Sequence, residues 1–138
     1  MLKVFVYGTL KPGEAYYHDY CEPYVVEAVP ALTQGSLFHL PQGYPAMALG
    51  ESDVIGFLLQ LRDATAIAYM DEFEDYNPSL PEAMNLYVRQ LRPVFSRKRQ
   101  PLGSAWVYVM CDEYIRQNRG IPVPTGNWSR QHWHSIAP

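Results

Sequence analysis

The chain has 138 residues, enough for one ordinary domain with its own core and too few for two of full size. Hydrophobic residues make up 48% and charged residues only 18%, a balance that buries enough apolar surface to exclude wholesale disorder. With 14 acids against 11 bases the formal charge is -3, which offers no overall electrostatic reason to bind nucleic acid or an anionic membrane and directs attention to a small-molecule partner.

Residues 3–7 are rich in β-branched and aromatic side chains and read as a first strand. Its apolar run is far too short for a secretory signal, and no later segment approaches the roughly 20 apolar residues that span a bilayer, so a soluble cytoplasmic protein is expected. A loop carrying Gly8 and Gly13 follows, then a helix expected over residues 14–21. Residues 33–40 and 54–61 read as strands. In the second of these, Val54, Ile55, Phe57, Leu58 and Leu59 are nearly continuous, as in a strand covered on both faces.

Residues 64–75 form the clearest helix, with Asp63 placed as its N-cap and Asn77-Pro78 as its stop. A loop over 79–85 leads to a strand over 86–91. Arg97-Lys98-Arg99 opens the next loop, which runs to Gly103, and reads as a solvated hairpin tip before a strand over 104–110. A short helix is expected over 112–118. The Pro- and Gly-bearing tail after Gly120, with Trp128, His132 and Trp133, is expected to pack without regular structure. Five short strands and few helices give an α+β domain built on one curled sheet or small barrel.

Metal and thiol chemistry find little support. Cys21 and Cys111 show no CxxC spacing, which suggests reduced thiols rather than a zinc site or a disulfide framework. His132 and His134 are two apart with no third ligand at a suitable interval, so no metal is expected. A G-x-S-x-G nucleophile elbow is absent, as are both common phosphate-binding glycine patterns.

Two features remain. On a helical wheel Ala66, Tyr69, Met70 and Phe73 form the apolar side of the 64–75 helix, with Glu74 at its edge and Asp71, Glu72 and Asp75 pointing elsewhere. Glu74 is thus the acid drawn out of water, and burial, the helix dipole and the flanking acids should all raise its pKa. That poises it as a general base or acid, although by spacing alone a structural ion pair with an arginine such as Arg89 is the commoner arrangement. The second feature is Tyr7-Gly8-Thr9-Leu10-Lys11-Pro12-Gly13, a strand running into a glycine-bearing loop. Its free amides could bind an anion or an oxyanion, or it could be an ordinary strand-ending turn.

Val4 through Gly13, Tyr44-Pro45, Met70 through Tyr76, and Leu86-Tyr87-Val88-Arg89 resemble, in order and spacing, the gamma-glutamylcyclotransferase-like family. Ile121 through Trp128 resembles the ending of small bacterial members, so the likeness covers residues 1–128 and leaves 129–138 as a tail. The resemblance implies an α+β fold whose curled, barrel-like sheet holds a cavity, with flanking helices. It also implies cyclisation of a gamma-glutamyl group without cofactor, metal or covalent intermediate, releasing an amine and 5-oxoproline.

By the same resemblance Glu74 carries the proton and Gly8, Thr9 and Leu10 hold substrate oxygens. Tyr7 and Tyr108 line the pocket through their hydroxyls, while Arg89 pairs with a substrate carboxylate or braces Glu74. The implied partner is a small molecule with a gamma-glutamyl or similar acidic group. Thr9-Leu10 replaces the serine-asparagine pair of the larger glutathione-pathway branch, and Asp75 stands where relatives carry glycine, which predicts a differently shaped helix end. A non-catalytic protein that binds an acidic metabolite in the same cavity is the alternative.

Overall fold

The computed structural model describes residues 2–130, so His132, Trp133 and His134 lie outside the described residues. Strand β1 (Leu2–Val6) runs antiparallel to β3 (Pro45–Leu61) on one side and parallel to β5 (Pro101–Val109) on the other. β5 pairs with β4 (Val88–Ser96), β4 with β2 (Val25–His39), and β2 closes back on β3, so five strands form a barrel of mixed direction. A sixth strand, β6 (Ile121–Pro122), lies against Phe38 and His39 of β2.

β2 and β3 are much longer than the predicted strands because they form one hairpin, paired from Val25 opposite Leu61 to His39 opposite Pro45 with register shifts at Val25/Glu27 and Gly35/Ser36. Its tip closes where the Gly43 N–H bonds to the Leu40 carbonyl, with Gly43 at φ +100°, a conformation that favours glycine. The near-continuous apolar run is explained by double coverage. Val54 and Leu58 pack with Phe5, Met47, Val94 and Val107, a set drawn from four of the strands and extended by Ala31 and Leu37 of β2, which is the barrel interior. Leu59 and Leu61 face the other way, against Ala66 and Met70.

β4 continues to Ser96, past the predicted end at Leu91, because Pro93 sits beside a register shift and its carbonyl accepts a bond from Thr33 Oγ1. The tail expected to lack regular structure contributes the short β6 before its irregular run to Trp128, which is fully buried.

Among the described residues three α-helices flank the barrel: α1 (Tyr17–Tyr20), α2 (Ala66–Phe73) and α3 (Asp112–Gln117). α2 is shorter than predicted at both ends. Asp63 folds the entry as an Asx turn, its Oδ1 accepting the Thr65 N–H at 2.9 Å, and the helix begins at Ala66. At the exit Asp75 takes φ 55°, the Tyr76 N–H reaches the Asp71 carbonyl (2.8 Å), and the Asp75 N–H reaches that of Glu72 (3.2 Å). These two bonds are a Schellman turn, so Asp75 adopts the left-handed conformation glycine would supply, and the expectation of a differently shaped end is corrected.

The buried face of α2 is also turned from the predicted one, by roughly one residue step. Ala66, Met70 and Asp71 are buried, whereas Tyr69 is half exposed, its ring stacked on Tyr24. That rotation puts Glu74 in the middle of the inward stripe rather than at its edge.

Candidate functional site

A cavity of about 780 Å³ opens between the ends of β1 and β5, the end of α2, the loop after β1 and the tip of the β2–β3 hairpin. Glu74, Gly8, Thr9 and Leu10 all line it, together with Tyr7 and Tyr108. Residues far apart in the chain meet there because β1 delivers the glycine loop directly from its end while α2 packs Met70 against the outer barrel layer that contains Val4 and Val6. A carboxyl at the C-cap of that helix must then project toward the loop.

Among the described residues, no side chain or amide bonds to the Glu74 carboxyl, which keeps partial exposure into the cavity while protein surrounds it. Loss of hydration pushes its pKa up to about 8. The flanking acids do not add to that rise as expected: Asp71 is paired with Arg89, and Glu72 and Asp75 are exposed. In turn the Glu74 charge raises the pKa of Tyr7 just past β1, Tyr44 in the hairpin tip, Tyr87 ahead of β4 and Tyr108 on β5, adding in each case to the larger effect of burial. One acid therefore faces a wall of neutral phenols.

The loop after β1 is shaped by its own bonds. Lys11 N–H reaches the Gly8 carbonyl and Tyr16 N–H the Thr9 carbonyl, both at 3.0 Å, while the amides of Gly8, Thr9 and Leu10 make no bond to a described residue. Those three donors are available to an anionic group. Gly8 was expected to admit a ligand, yet the position of a Cβ there is taken by Pro45, whose Cγ would be 2.6 Å away. Glycine is needed because the hairpin tip packs onto the loop.

Tyr7 and Tyr108 line the cavity but do not offer it free hydroxyl protons. The Tyr7 hydroxyl donates to the Tyr108 carbonyl and accepts from the Met47 amide, and the Tyr108 hydroxyl donates to Asp71 Oδ1 at 2.6 Å. Arg89 neither lines the cavity nor touches Glu74. Its Nε and Nη2 donate to Asp71 Oδ1 and Oδ2 at 2.9 and 3.2 Å, and the expectation that it braces Glu74 directly is corrected. The wheel missed this because it assigned Asp71 to solvent.

Sequence reasoning also left several wall residues without a role. Tyr44 and Tyr87 carried no chemical signal of their own, although Tyr44-Pro45 stood out as a dipeptide; the Tyr87 hydroxyl donates to the Pro45 carbonyl at 2.7 Å and fixes the hairpin tip. Trp128 closes another side, its Nε1 donating to His39 Nδ1 at 3.0 Å and its carbonyl accepting from the buried Lys11. Among the described residues no group of three or more His, Cys, Asp or Glu side chains could hold a metal ion, and no helix is long and apolar enough to cross a membrane.

Comparison with known proteins agrees with this architecture. A family model described as gamma-glutamyl cyclotransferase, AIG2-like, matches residues 4–130. Among solved structures the chain is similar to YkqA from Bacillus subtilis (22% identity, TM-score 0.67), covering 99% of this chain and 43% of YkqA. It is similar as well to an AIG2-like protein from Mus musculus (23% identity, TM-score 0.62), covering 83% of this chain and 82% of that one. An uncharacterized protein from Pyrococcus horikoshii matches over 100% of both chains at 17% identity and TM-score 0.64. At these identities the likenesses carry the fold alone. No curated protein matches the chain.

Proposed function

The chain belongs to the gamma-glutamyl cyclotransferase, AIG2-like family, and from that premise we propose that it cyclises a gamma-glutamyl amide or amine, releasing the amine and 5-oxoproline without a cofactor. The observation that carries this reading is a half-dry Glu74 carboxyl, unbonded by any described residue, in one cavity with the open amides of Gly8, Thr9 and Leu10.

The ionised Glu74 carboxylate takes a proton from the substrate α-ammonium. The freed amine nitrogen attacks the side-chain carbonyl carbon of the same glutamyl group, closing a five-membered ring. The carbonyl oxygen becomes an oxyanion, which the amides of residues 8–10 receive; one such donor contributes about 3 kcal/mol to lowering the barrier. Collapse breaks the carbon–nitrogen bond, the departing amine takes its proton from the Glu74 carboxylic acid, and the ring nitrogen, left with two hydrogens by the attack, passes one to the released amine, which leaves as its ammonium ion. Proton and electron pair are both returned, so the chain ends unchanged. Because nucleophile and carbonyl share one molecule, the site's chief task is to fold the substrate, and a tethered amine makes a protein nucleophile unnecessary. A pKa near 8 suits Glu74 to both steps, since it lies close to that of the group it deprotonates.

Incubation with a panel of gamma-glutamyl amides and amines, assayed for 5-oxoproline and free amine in equal amounts, tests the proposal. Turnover is expected for wild type and lost in Glu74→Gln; turnover that survives the substitution unchanged removes Glu74 as the base. Thermal stabilisation by gamma-glutamyl ligands with no product from any of them favours the binding role instead.

A further inference from the structure

Glu74 lies in a turn that a single side chain grips from both ends. The turn runs from Asp71 to Tyr76, the two residues joined by the Schellman bond from the Tyr76 N–H to the Asp71 carbonyl. Arg89, reaching from β4, forks onto both Asp71 carboxylate oxygens, and its guanidinium lies 5.5 Å from the Tyr76 ring centre. A second aromatic, Trp106 of β5, sits 4.5 Å from the same guanidinium, so the cation is held over two rings and by two hydrogen bonds. The Tyr108 hydroxyl completes the junction by donating to Asp71 from the cavity wall.

From this arrangement we infer that Asp71 and Arg89 are positioning residues for Glu74, a staple that fixes the end of α2 to β4 and β5 and thereby sets where the Glu74 carboxyl stands in the cavity. The inference rests on the proposed role of Glu74 and extends it to residues outside the cavity. The physical case is one of commitment. A carboxylate and a guanidinium left only 10% and 16% exposed are costly to hold out of water, and leaving either without the other is costlier. The pair is therefore held together, and so is the turn between its anchoring points. No described residue bonds to the Glu74 carboxyl to orient it, so its place depends on the backbone that carries it.

The bidentate geometry is what distinguishes a staple from a mere neutralising charge. Lysine at position 89 keeps the charge and a single point contact but cannot fork onto both oxygens or lie flat between two rings. Arg89→Lys thus loosens the turn while leaving the buried carboxylate a cationic partner, and Asp71→Asn serves as the harsher companion.

The test measures two things on folded Arg89→Lys and wild type: gamma-glutamyl turnover, and the titration of the Glu74 carboxyl followed by carbon NMR with Glu74→Gln identifying the signal. Wild type is expected to titrate at about 8. In the variant the carboxyl regains water, so its midpoint should fall by about one unit or more while the melting profile stays cooperative. Turnover should fall about tenfold in kcat with KM within about twofold, since the substrate contacts are untouched and only the proton-carrying group has moved. An unchanged midpoint and an unchanged kcat in a folded variant overturn the inference. If wild type turns over no gamma-glutamyl compound, the proposed activity fails by itself, and the titration alone still decides whether the staple positions Glu74. Should Arg89→Lys not fold, Tyr76→Leu, which leaves the ion pair intact and removes one ring from the cation, must show the same downward shift in smaller measure; no shift there overturns the staple.

Discussion

Asp71 in α2 and Glu74 at its C-cap stand one helical turn apart and meet opposite surroundings: Asp71 accepts three hydrogen bonds, two from Arg89 and one from Tyr108, while no described residue donates to the Glu74 carboxyl. Two acids of like chemistry are thereby separated into a fixed structural anion and a carboxyl whose proton is negotiable. Environments that diverge in this way are how one helix carries both a brace and an acid–base group.

Replacing Glu74 with glutamine should cut turnover by about three orders of magnitude, within the range that positioned proton transfer supplies. Steady-state 5-oxoproline release by the purified variant measures it. Aspartate at this position keeps the carboxyl but withdraws it by one methylene, and should leave a small part of the activity.

The pH dependence follows from the direction of the Glu74 shift. The group must be ionised to accept the first proton, so kcat/KM should climb about tenfold per pH unit below the midpoint and level off above about 8. Stability moves the other way. The folded pKa lies above the ordinary value of 4.5, so the folded state holds this proton more tightly than the unfolded chain, and stability declines as pH rises from about 4.5 to about 8. Glu74→Gln should abolish that decline and be more stable than wild type at pH 8 by roughly 4 kcal/mol, with the difference vanishing near pH 4. Urea unfolding at the two pH values reads it.

Gly8→Ala should damage the site through packing. Its added carbon meets the Pro45 ring, and Pro45 is also held through its carbonyl by Tyr87, so the hairpin tip must shift. A loss of about 2 kcal/mol in stability is expected, together with a raised KM. Denaturant titration and substrate kinetics on one preparation separate the two effects.

The two thiols should differ sharply. Burial pushes the Cys21 thiol up to about 12, with Glu74 adding to the rise, whereas Cys111 is exposed. A chromogenic disulfide reagent at pH 8 should therefore titrate one thiol in the native protein and two after denaturation. Rapid reaction of both native thiols contradicts the packing around Cys21.

Asp75→Gly should stabilise the chain by about 0.5–1 kcal/mol, because glycine takes the left-handed φ of this Schellman turn without the strain of a side chain. Thermal melting of the single variant is the measurement.

Much of this molecule is legible along the chain because strands and glycine turns are local signals. β1 with its loop, the coverage of residues 54–61 on both faces, and a helix leading to Glu74 all follow from apolar runs, punctuation and capping residues. What the linear pattern misread is instructive. A wheel assumes that apolar residues mark the buried face, so it counted Tyr69 inward and Asp71 outward. The helix instead turned to bury an acid, because Arg89, eighteen positions later, was there to receive it. No local pattern registers a partner at that distance.

The sequence by itself determined where five strands run though not how far, the glycine loop, the presence of an acid at the end of a helix and the family to which they belong, since each is carried by residues close together in the chain. Only the tertiary structure decided which acid is neutralised and which is left half-dry, that Pro45 occupies the space beside Gly8, and that Trp128 closes a cavity begun at Tyr7. Those outcomes are set by burial and by contacts between segments that meet only after the barrel closes, and desolvation is a property of the assembled surroundings rather than of a residue.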